Sequence, residues 1–438
     1  MKKLLAIMMV MALMVGIFAG CGTQEKPADE KIIIDFSMLN LSGDIDGWTA
    51  MVEAANKQLE AENIEIVISK VNGTGWPEYY QKVVSQLAAG NSPDIGRIAE
   101  SYMPTLISKG QVVDLTEYIK NDFDMSQYYE KTFENSAYVD GHYYGVPSGL
   151  NNYLMYYNKD LFDEAGIPYP SADWDNPSSF EEIAEMARKL TKETENGKQF
   201  GFYTGPYMAE IGMFSTSLGG NNVFDANGNP SINDETSKQI YRWFDGMLRE
   251  DQSMPRPTDT AIMSAFDMFT NGRLAMIVDG TWWLGSIGAI EGFNVGIAAV
   301  PGAEGGSAYT SQFVDSFVIY EGCENKDAAW KAIKAIVSQE GFEALAATGV
   351  GGTPVHKEVV NAVTEKLLGE NVDADSKLVA QDALNHTVKV PYNEYYEEAD
   401  QKVNNTMDEW LLGEITADEY ADKVQQILID YKTQAEAD

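Results

Sequence analysis

The constraint that most limits the fold is the alternation of strand and helix over residues 31–98. Lys31 to Met38 (KIIIDFSM) is apolar and β-branched, the pattern of a buried strand. Trp48, Met51, Val52, Ala55 and Leu59 then recur at helical spacing. Ile64 to Val71 (IEIVISKV) is a second strand, with Ile64, Ile66 and Ile68 on one face. A helix is expected from Pro77 to Ala89, because Pro77 suits a first turn and Gly90 suits the position past a last one. Asp94 to Ile98 is a short third strand. Strand–helix–strand–helix–strand predicts the α/β class, with parallel strands covered by helices.

The same reading extends along the chain. Ser179 with Glu182, and Thr416 with Glu419, have the spacing of capping boxes that open helices. Further helices are expected over Glu235–Glu250, Ala261–Phe269, Ala328–Val337 and Glu340–Ala347. Strands are expected over Leu154–Tyr157, Ala275–Asp279, Val295–Val300 and Phe313–Tyr320. The chain has 438 residues, enough for two or three domains at about 150 residues each. Its 44% hydrophobic content supplies material for packed cores.

Charge excludes several partners. A formal charge of −36 argues against nucleic acid, where affinity comes from Lys and Arg on phosphates. It also argues against adhesion to an anionic bilayer by surface charge. Lys2-Lys3 followed by the apolar run Leu4–Phe18 reads as an export signal, too short for a membrane span. Ala19-Gly20-Cys21 resembles a lipobox, so residues 1–20 are expected to be a lipoprotein signal peptide and Cys21 the lipid anchor. Residues 21–30 are polar and aperiodic and read as a tether.

Motifs for catalysis and cofactors are missing. Gly145-Val146-Pro147-Ser148-Gly149 lacks the GxSxG spacing, and there is no HExxH, CxxC, P-loop or GxGxxG after a strand. Asp225-Ala226-Asn227-Gly228-Asn229 opens like a calcium loop but has Pro230 and Thr236 where Gly and Glu are needed. No cofactor and no metal are expected. The 67 acidic residues offer many carboxylate pairs, and none is singled out for glycoside hydrolysis.

Several segments, in this order, resemble the family 1 extracellular solute-binding proteins of ABC importers, a group that includes maltose-binding protein. They are Gln86–Ile95 (QLAAGNSPDI), Val113–Thr116 (VDLT), Gly141–Pro147 (GHYYGVP), Tyr156–Phe162 (YYNKDLF), Gly272–Met276 (GRLAM), Gly280-Thr281-Trp282, Ala299–Gly302 (AVPG), Ala329-Trp330-Lys331 and Ser338–Gly341 (SQEG). The resemblance implies a two-lobed fold of the periplasmic-binding-protein type (type II), each lobe a mixed sheet flanked by helices with a ligand cleft between. Chain order then places lobe one at 30–149 plus 316–350 and lobe two at 150–315 plus 351–438. The hinge would lie near Pro147–Leu150, Val314–Asp315 and Val350–Gly352. It implies a monomeric, non-enzymatic, membrane-anchored receptor for an oligosaccharide, serving ABC permease subunits.

A neutral sugar has hydroxyls around each ring and apolar C–H faces above and below. Binding it in water needs flat aromatic surfaces and side chains that both donate and accept hydrogen bonds. Trp282 matches the family's sugar-stacking position, with Trp283 beside it the better core candidate. Tyr207, after Gly205-Pro206, matches another stacking position. Asn151, with Asn152 and Tyr153 behind it, falls where the family places a hydroxyl-binding side chain. In lobe one the candidates are Trp76 before a helix, Glu100 and Ser101 after the third strand, and Asp44 and Asp46 after the first. Asp315 at the hinge, and the backbone of Gly351 and Gly352, complete the set. Trp48, Trp243, Trp330 and Trp410 sit in helical patterns and are expected in the core, whereas Trp174 in an acidic loop is expected at a rim or exposed. The rival readings are an exported glycoside-processing enzyme and a surface carbohydrate-adhesion module.

Overall fold

The computed structural model describes residues 31–40, 45–72, 75–195, 197–349 and 353–437. Cys21, Asp44, Gly351 and Gly352, with the signal, the tether and the third hinge strip, lie outside the described residues. The strands, in chain order, are β1 (Ile32–Asn40), β2 (Ile64–Asn72), β3 (Ile95–Ile98), β4 (Tyr138–Val139), β5 (His142–Tyr143), β6 (Val146–Pro147) and β7 (Asn151–Asn158). They continue as β8 (Lys192–Thr194), β9 (Gly197–Tyr203), β10 (Leu274–Gly280), β11 (Val295–Ala298), β12 (Thr310–Phe313), β13 (Ser316–Ile319) and β14 (Thr387–Lys389).

Two mixed sheets with helices packed on them build the two lobes. The first has the order β2-β1-β3-β13-β6. The opening alternation produces its parallel part, with β2 and β3 both parallel to β1. β13 then enters antiparallel to both β3 and β6. The second sheet has the order β14-β12-β7-β10-β9-β8, with β11 also on β7. β7 lies at its centre and is buried from Asn152 to Asn158, so it reads as a continuous apolar and aromatic run rather than an alternating one.

Both capping boxes form. Ser179 accepts from the backbone N–H of Glu182 while the Glu182 carboxylate accepts from Ser179, which opens the helix Phe180–Leu190. Thr416 and Glu419 do the same for the helix Ala417–Ala435. Four of the tryptophans expected in helices pack as foreseen or nearly so: Trp48, Trp330 and Trp410 are buried and Trp243 is half-buried against the core.

Two expectations are corrected. The stretch Phe313–Tyr320 is not one strand: β12 ends at Phe313 in the second sheet and β13 begins at Ser316 in the first. Trp174 is not at a rim. It is fully buried, its indole N–H donates to the Val379 carbonyl at 3.1 Å, and its ring stacks on His386 at 5.6 Å.

Phe317 on β13 packs edge-on to Phe36 of β1 and to Trp48, with ring centroids 5.7 and 6.2 Å apart. It therefore joins the late-entering strand to the opening unit. Phe317→Ala is expected to destabilise the protein by about 3–5 kcal/mol, read as a shift in urea midpoint. A change below about 1 kcal/mol would show that this junction contributes little.

Candidate functional site

The site forms where the chain changes sheet. β6 ends at Pro147 in the first sheet and β7 starts at Asn151 in the second. The return passes through Val314 and Asp315. These two strips run side by side: the Ser148 backbone N–H donates to the Asp315 carbonyl at 2.8 Å, and the Ser148 hydroxyl donates to it at 3.0 Å. The Leu150 N–H donates to the Thr353 carbonyl at 2.8 Å, which brings in a third segment.

Arg97 on β3 ties these strips to the first sheet. Its guanidinium pairs with the Asp315 carboxylate, and its Nε–H donates to the Ser148 hydroxyl at 3.2 Å. The same group lies 4.5 Å from the Trp48 ring centroid and 5.1 Å from that of Trp76. Burial raises the pKa of Asp315, and Arg97 opposes that rise. Glu100 is buried and accepts from the Val314 N–H, while its Oε1 has no hydrogen-bond partner. Burial and the neighbouring Asp315 push its pKa well above the usual carboxylate range, against the pull of Val314 and Lys389.

The second sheet contributes an aromatic wall. Trp282 follows β10 in the tight turn Thr281–Trp283 and remains 39% exposed. Its ring is edge-on to Tyr153 at 5.7 Å and to Phe313 at 5.8 Å, and Tyr153 meets Phe313 at 5.1 Å. A Cβ at Gly280 would run into the Trp282 ring, so only glycine lets the indole fold back over the strand end. Tyr207 is 45% exposed and stands at the N-terminus of the helix Met208–Ser217. A Cβ at Gly205 would likewise strike its ring. The Tyr153 hydroxyl donates to Glu210 Oε1 at 2.9 Å, linking the two aromatic positions.

The other sequence candidates fall at various depths. Asn151 is half-buried and accepts from the Thr281 hydroxyl at 3.2 Å. Asn152 is fully buried, and its amide donates to the Tyr153 carbonyl at 3.1 Å. Trp283 is partly buried and stacks on Phe266 at 4.0 Å. Trp76 is half-buried and edge-on to Tyr79 at 5.7 Å. Asp46 is exposed in the first turn of the helix Ile45–Leu59. Ser101 is buried and hydrogen-bonds to Glu397, which comes from the helix Tyr396–Asn404 near the chain end.

Sequence reasoning missed a set of carboxyl groups around this wall. Burial raises Glu210 to about 8, Asp400 to about 7 and Asp279 to about 6. Asp279 and Asp400 each push Glu210 further up, and the Tyr153 hydroxyl partly offsets this. Glu397 is also raised, mainly by burial. Asp279 is the last residue before Gly280-Thr281-Trp282, and Glu210 is three residues past Tyr207, so proximity to the aromatic motifs was the available signal. Among the described residues, no cluster of His, Cys, Asp and Glu is arranged to hold a metal ion.

Residues 50–378 match the family model described as bacterial extracellular solute-binding protein. The chain belongs to this family. A Brucella abortus (strain 2308) protein named only as a binding protein is 25% identical over 70% of this chain and 72% of its own length. The maltodextrin-binding protein MdxE of Bacillus subtilis (strain 168) is 25% identical over 70% of each chain. Among solved structures, an ABC substrate-binding protein from Listeria monocytogenes in complex with cycloalternan superposes with a TM-score of 0.80. It covers 93% of this chain and 100% of its own at 21% identity, a likeness of fold.

The raised carboxyls of this solute-binding protein have a stability consequence. Above about pH 6.5 the folded state still holds a proton on Asp400 up to about pH 7 and one on Glu210 up to about pH 8, both of which the unfolded chain has already released. Stability therefore falls as pH rises through this window. His356, lowered by burial, acts in the opposite sense only below its ordinary value. Thermal unfolding is expected to show a higher Tm at pH 6.5 than at pH 9, and Glu210→Gln is expected to shrink the difference, at about 1.4 kcal/mol per pKa unit removed. A Tm that rises with pH across the window would contradict the assignment.

Proposed function

We propose that this protein is the ligand-capturing, non-enzymatic receptor of an ABC importer for a neutral oligosaccharide. Lobe one is residues 30–149 plus 316–350, and lobe two is residues 150–315 plus 351–438. The ligand enters between them, the strips at Pro147–Leu150, Val314–Asp315 and Val350–Gly352 act as the hinge, and the closed monomer delivers its cargo to the permease subunits. Cys21 carries the lipid that holds it to the outer face of the cytoplasmic membrane.

The observation that carries this reading is the exposed indole of Trp282, lying over Gly280 and backed by Tyr153 and Phe313. An indole held in that position offers a flat apolar face for a sugar ring. Family membership, the likeness to a maltodextrin-binding protein and the shared fold of a cycloalternan complex support the class. Closure about hinges is the usual motion of periplasmic-type binding proteins, and it follows ligand only if the closed state binds better.

Neutral rather than anionic sugar is favoured by the pairing of the two arginines nearest the platforms. Arg97 is committed to Asp315 and Arg256 to Asp259, the latter at 3.4 Å. Glu210, Asp279 and Asp400 have pKa values of about 8, 6 and 7, so near neutral pH they supply both donors and acceptors for hydroxyl groups. Asn151 adds an amide at the start of β7. Trp283 and Asn152 support Trp282 and the strand from behind, and Trp76, Glu100, Ser101, Asp44 and Asp46 are the lobe-one contributors, with Gly351 and Gly352 offering backbone N–H groups.

Calorimetric titration with a panel of malto-, galacto- and manno-oligosaccharides tests the reading. One series is expected to bind saturably and to be recovered intact by chromatography. Trp282→Ala is expected to weaken that binding about tenfold or more, a loss of about 1.4 kcal/mol. Hydrolysed sugar would favour the glycoside-processing enzyme, and unchanged affinity in the variant would remove Trp282 from the site.

A further inference from the structure

We propose that a recess at the end of the second sheet opposite Trp282 is an anion site, and that it takes a small phosphate monoester with a compact apolar substituent. The proposal goes beyond the saccharide reading and does not rest on it. The recess has a volume of about 220 Å³. β9 and β10 run parallel, and it is lined by Lys198 near the start of β9 and by Arg273 just before β10. Trp282 follows the other end of β10, which at about 3.3 Å per residue is more than about 20 Å away. The segment 252–263 separates the recess from Tyr207. Pro255 and Pro257 line the side that carries Tyr207, whereas Gln252, Arg256 and Met263 line this one.

The first observation is charge. Three cations, Lys198, Arg256 and Arg273, line this one space against a single carboxylate, Asp259. Asp259 is taken up by Arg256: it accepts from the Arg256 backbone N–H at 3.0 Å and faces its Nε at 3.4 Å. Lys198 and Arg273 have no carboxylate partner among the described residues. Lys198 Nζ lies 5.0 Å from the Phe200 ring centroid, and Arg273 Nη2 is 3.5 Å from the Lys198 carbonyl oxygen. Both residues are half-buried and so remain open to solvent. Gly197, with φ of +97°, makes room for the guanidinium, because a Cβ there would come within 3.1 Å of Nη2. Two unpaired cations match the charge of roughly −1.5 to −2 on a phosphate monoester near neutral pH. A guanidinium fork also binds phosphate oxygens two at a time. The formal −36 of the whole chain does not cancel this, since salt screens exposed charges beyond about 8 Å.

The second observation is the apolar rim. Ile262 is 86% exposed and borders the recess with Phe200, Met254 and Met263. Water-facing isoleucine beside unpaired cations suits a ligand with an anionic head and an apolar body. The volume is below the roughly 300 Å³ at which most small-molecule pockets begin, so the body must be compact.

The third observation is the backbone that builds the wall. The helix Glu235–Asp245 passes into a π-helical turn, Gly246–Glu250, a wide form that recurs at functional sites. Gln252 then adopts φ of +51°. The other described non-glycine residues with positive φ are Asn63 and Asp140, types that tolerate this region, whereas glutamine does not favour it. The Ser253 carbonyl accepts from the Gly201 and Phe202 N–H groups at 2.9 and 3.2 Å, which pins the turn to β9 and leaves Gln252 exposed at the recess. Local strain of this kind is retained where the surrounding structure holds it in place. Here it puts an amide donor beside the two cations.

The test is calorimetric titration at low ionic strength with phenyl phosphate, inorganic phosphate and benzoate. Phenyl phosphate is expected to bind with a Kd of about 1 mM or tighter, about fivefold tighter than either of the others. Lys198→Gln and Arg273→Gln are each expected to weaken it about fivefold, and added salt is expected to weaken it further. Ile262→Ser is expected to bring phenyl phosphate down to the level of inorganic phosphate and to leave inorganic phosphate unchanged. Thermal unfolding of each variant reports folding; should Arg273→Gln unfold, Lys198→Gln and Ile262→Ser carry the test. The absence of saturable binding up to about 10 mM, or binding that Lys198→Gln and Arg273→Gln leave unchanged, overturns the site. Benzoate binding as tightly as phenyl phosphate overturns the assignment to phosphate.

Discussion

The structure depends on the knot formed by Arg97, Asp315 and Ser148. One guanidinium reaches from β3 to two strips of chain that pass between the sheets, and it packs against Trp48 and Trp76 as it does so. Each part leans on another. Asp315 is largely buried and is kept ionisable by Arg97, and Ser148 is positioned by the Asp315 carbonyl. A pair of this kind adds little net stability relative to an apolar replacement, but losing one member strands a buried charge. Its contribution is therefore to geometry: it fixes how β13 and β6 enter the first sheet, and so where β7 and β12 start in the second.

From that anchor the aromatic wall follows. β7 leaves the crossing with Asn151, Asn152 and Tyr153, and β10 runs antiparallel to it, with Gly280 paired to Tyr153. Trp282 therefore emerges directly beside the Tyr153 ring. The same register pairs Asp279 with Leu154, and Glu210, from the helix Met208–Ser217, accepts from the buried Tyr153 hydroxyl. The high acidity of the chain takes on a local meaning here. Among the described residues many carboxylates pair with Lys and Arg on the surface, whereas burial raises Glu210, Asp400 and Asp279 near the aromatic wall to about 8, 7 and 6.

Local signals were legible in the sequence, and long-range ones were not. The β1–β2–β3 unit, the Pro77 helix start and both capping boxes depend on residues within a few positions of one another, and each formed where it was read. Phe313–Tyr320 reads as one strand by its apolar content, although Asp315-Ser316 interrupts it at the place where chain order puts a lobe boundary. The break at Val314–Asp315 is imposed by Glu100 and Arg97, more than 200 residues away in sequence. Trp174 looked exposed because its neighbours are acidic, yet its N–H finds a partner 205 residues on. The helix Tyr396–Asn404 carries Glu397, Glu398 and Asp400 and buries only Tyr396, Ala399 and Val403, a weak pattern that the sequence reading passed over. The resemblance to a family supplied the aromatic positions, but among so many acids no rule could pick out Glu210, Asp279 and Asp400.

Two lobes that close on a saccharide about the crossing strips become more compact when ligand binds. Small-angle X-ray scattering on the free protein and on the protein saturated with a bound oligosaccharide tests this most directly. A smaller radius of gyration is expected with ligand, reversed when the sugar is dialysed away. An unchanged radius under conditions where calorimetry shows full occupancy would contradict closure and favour an open, adhesion-type platform.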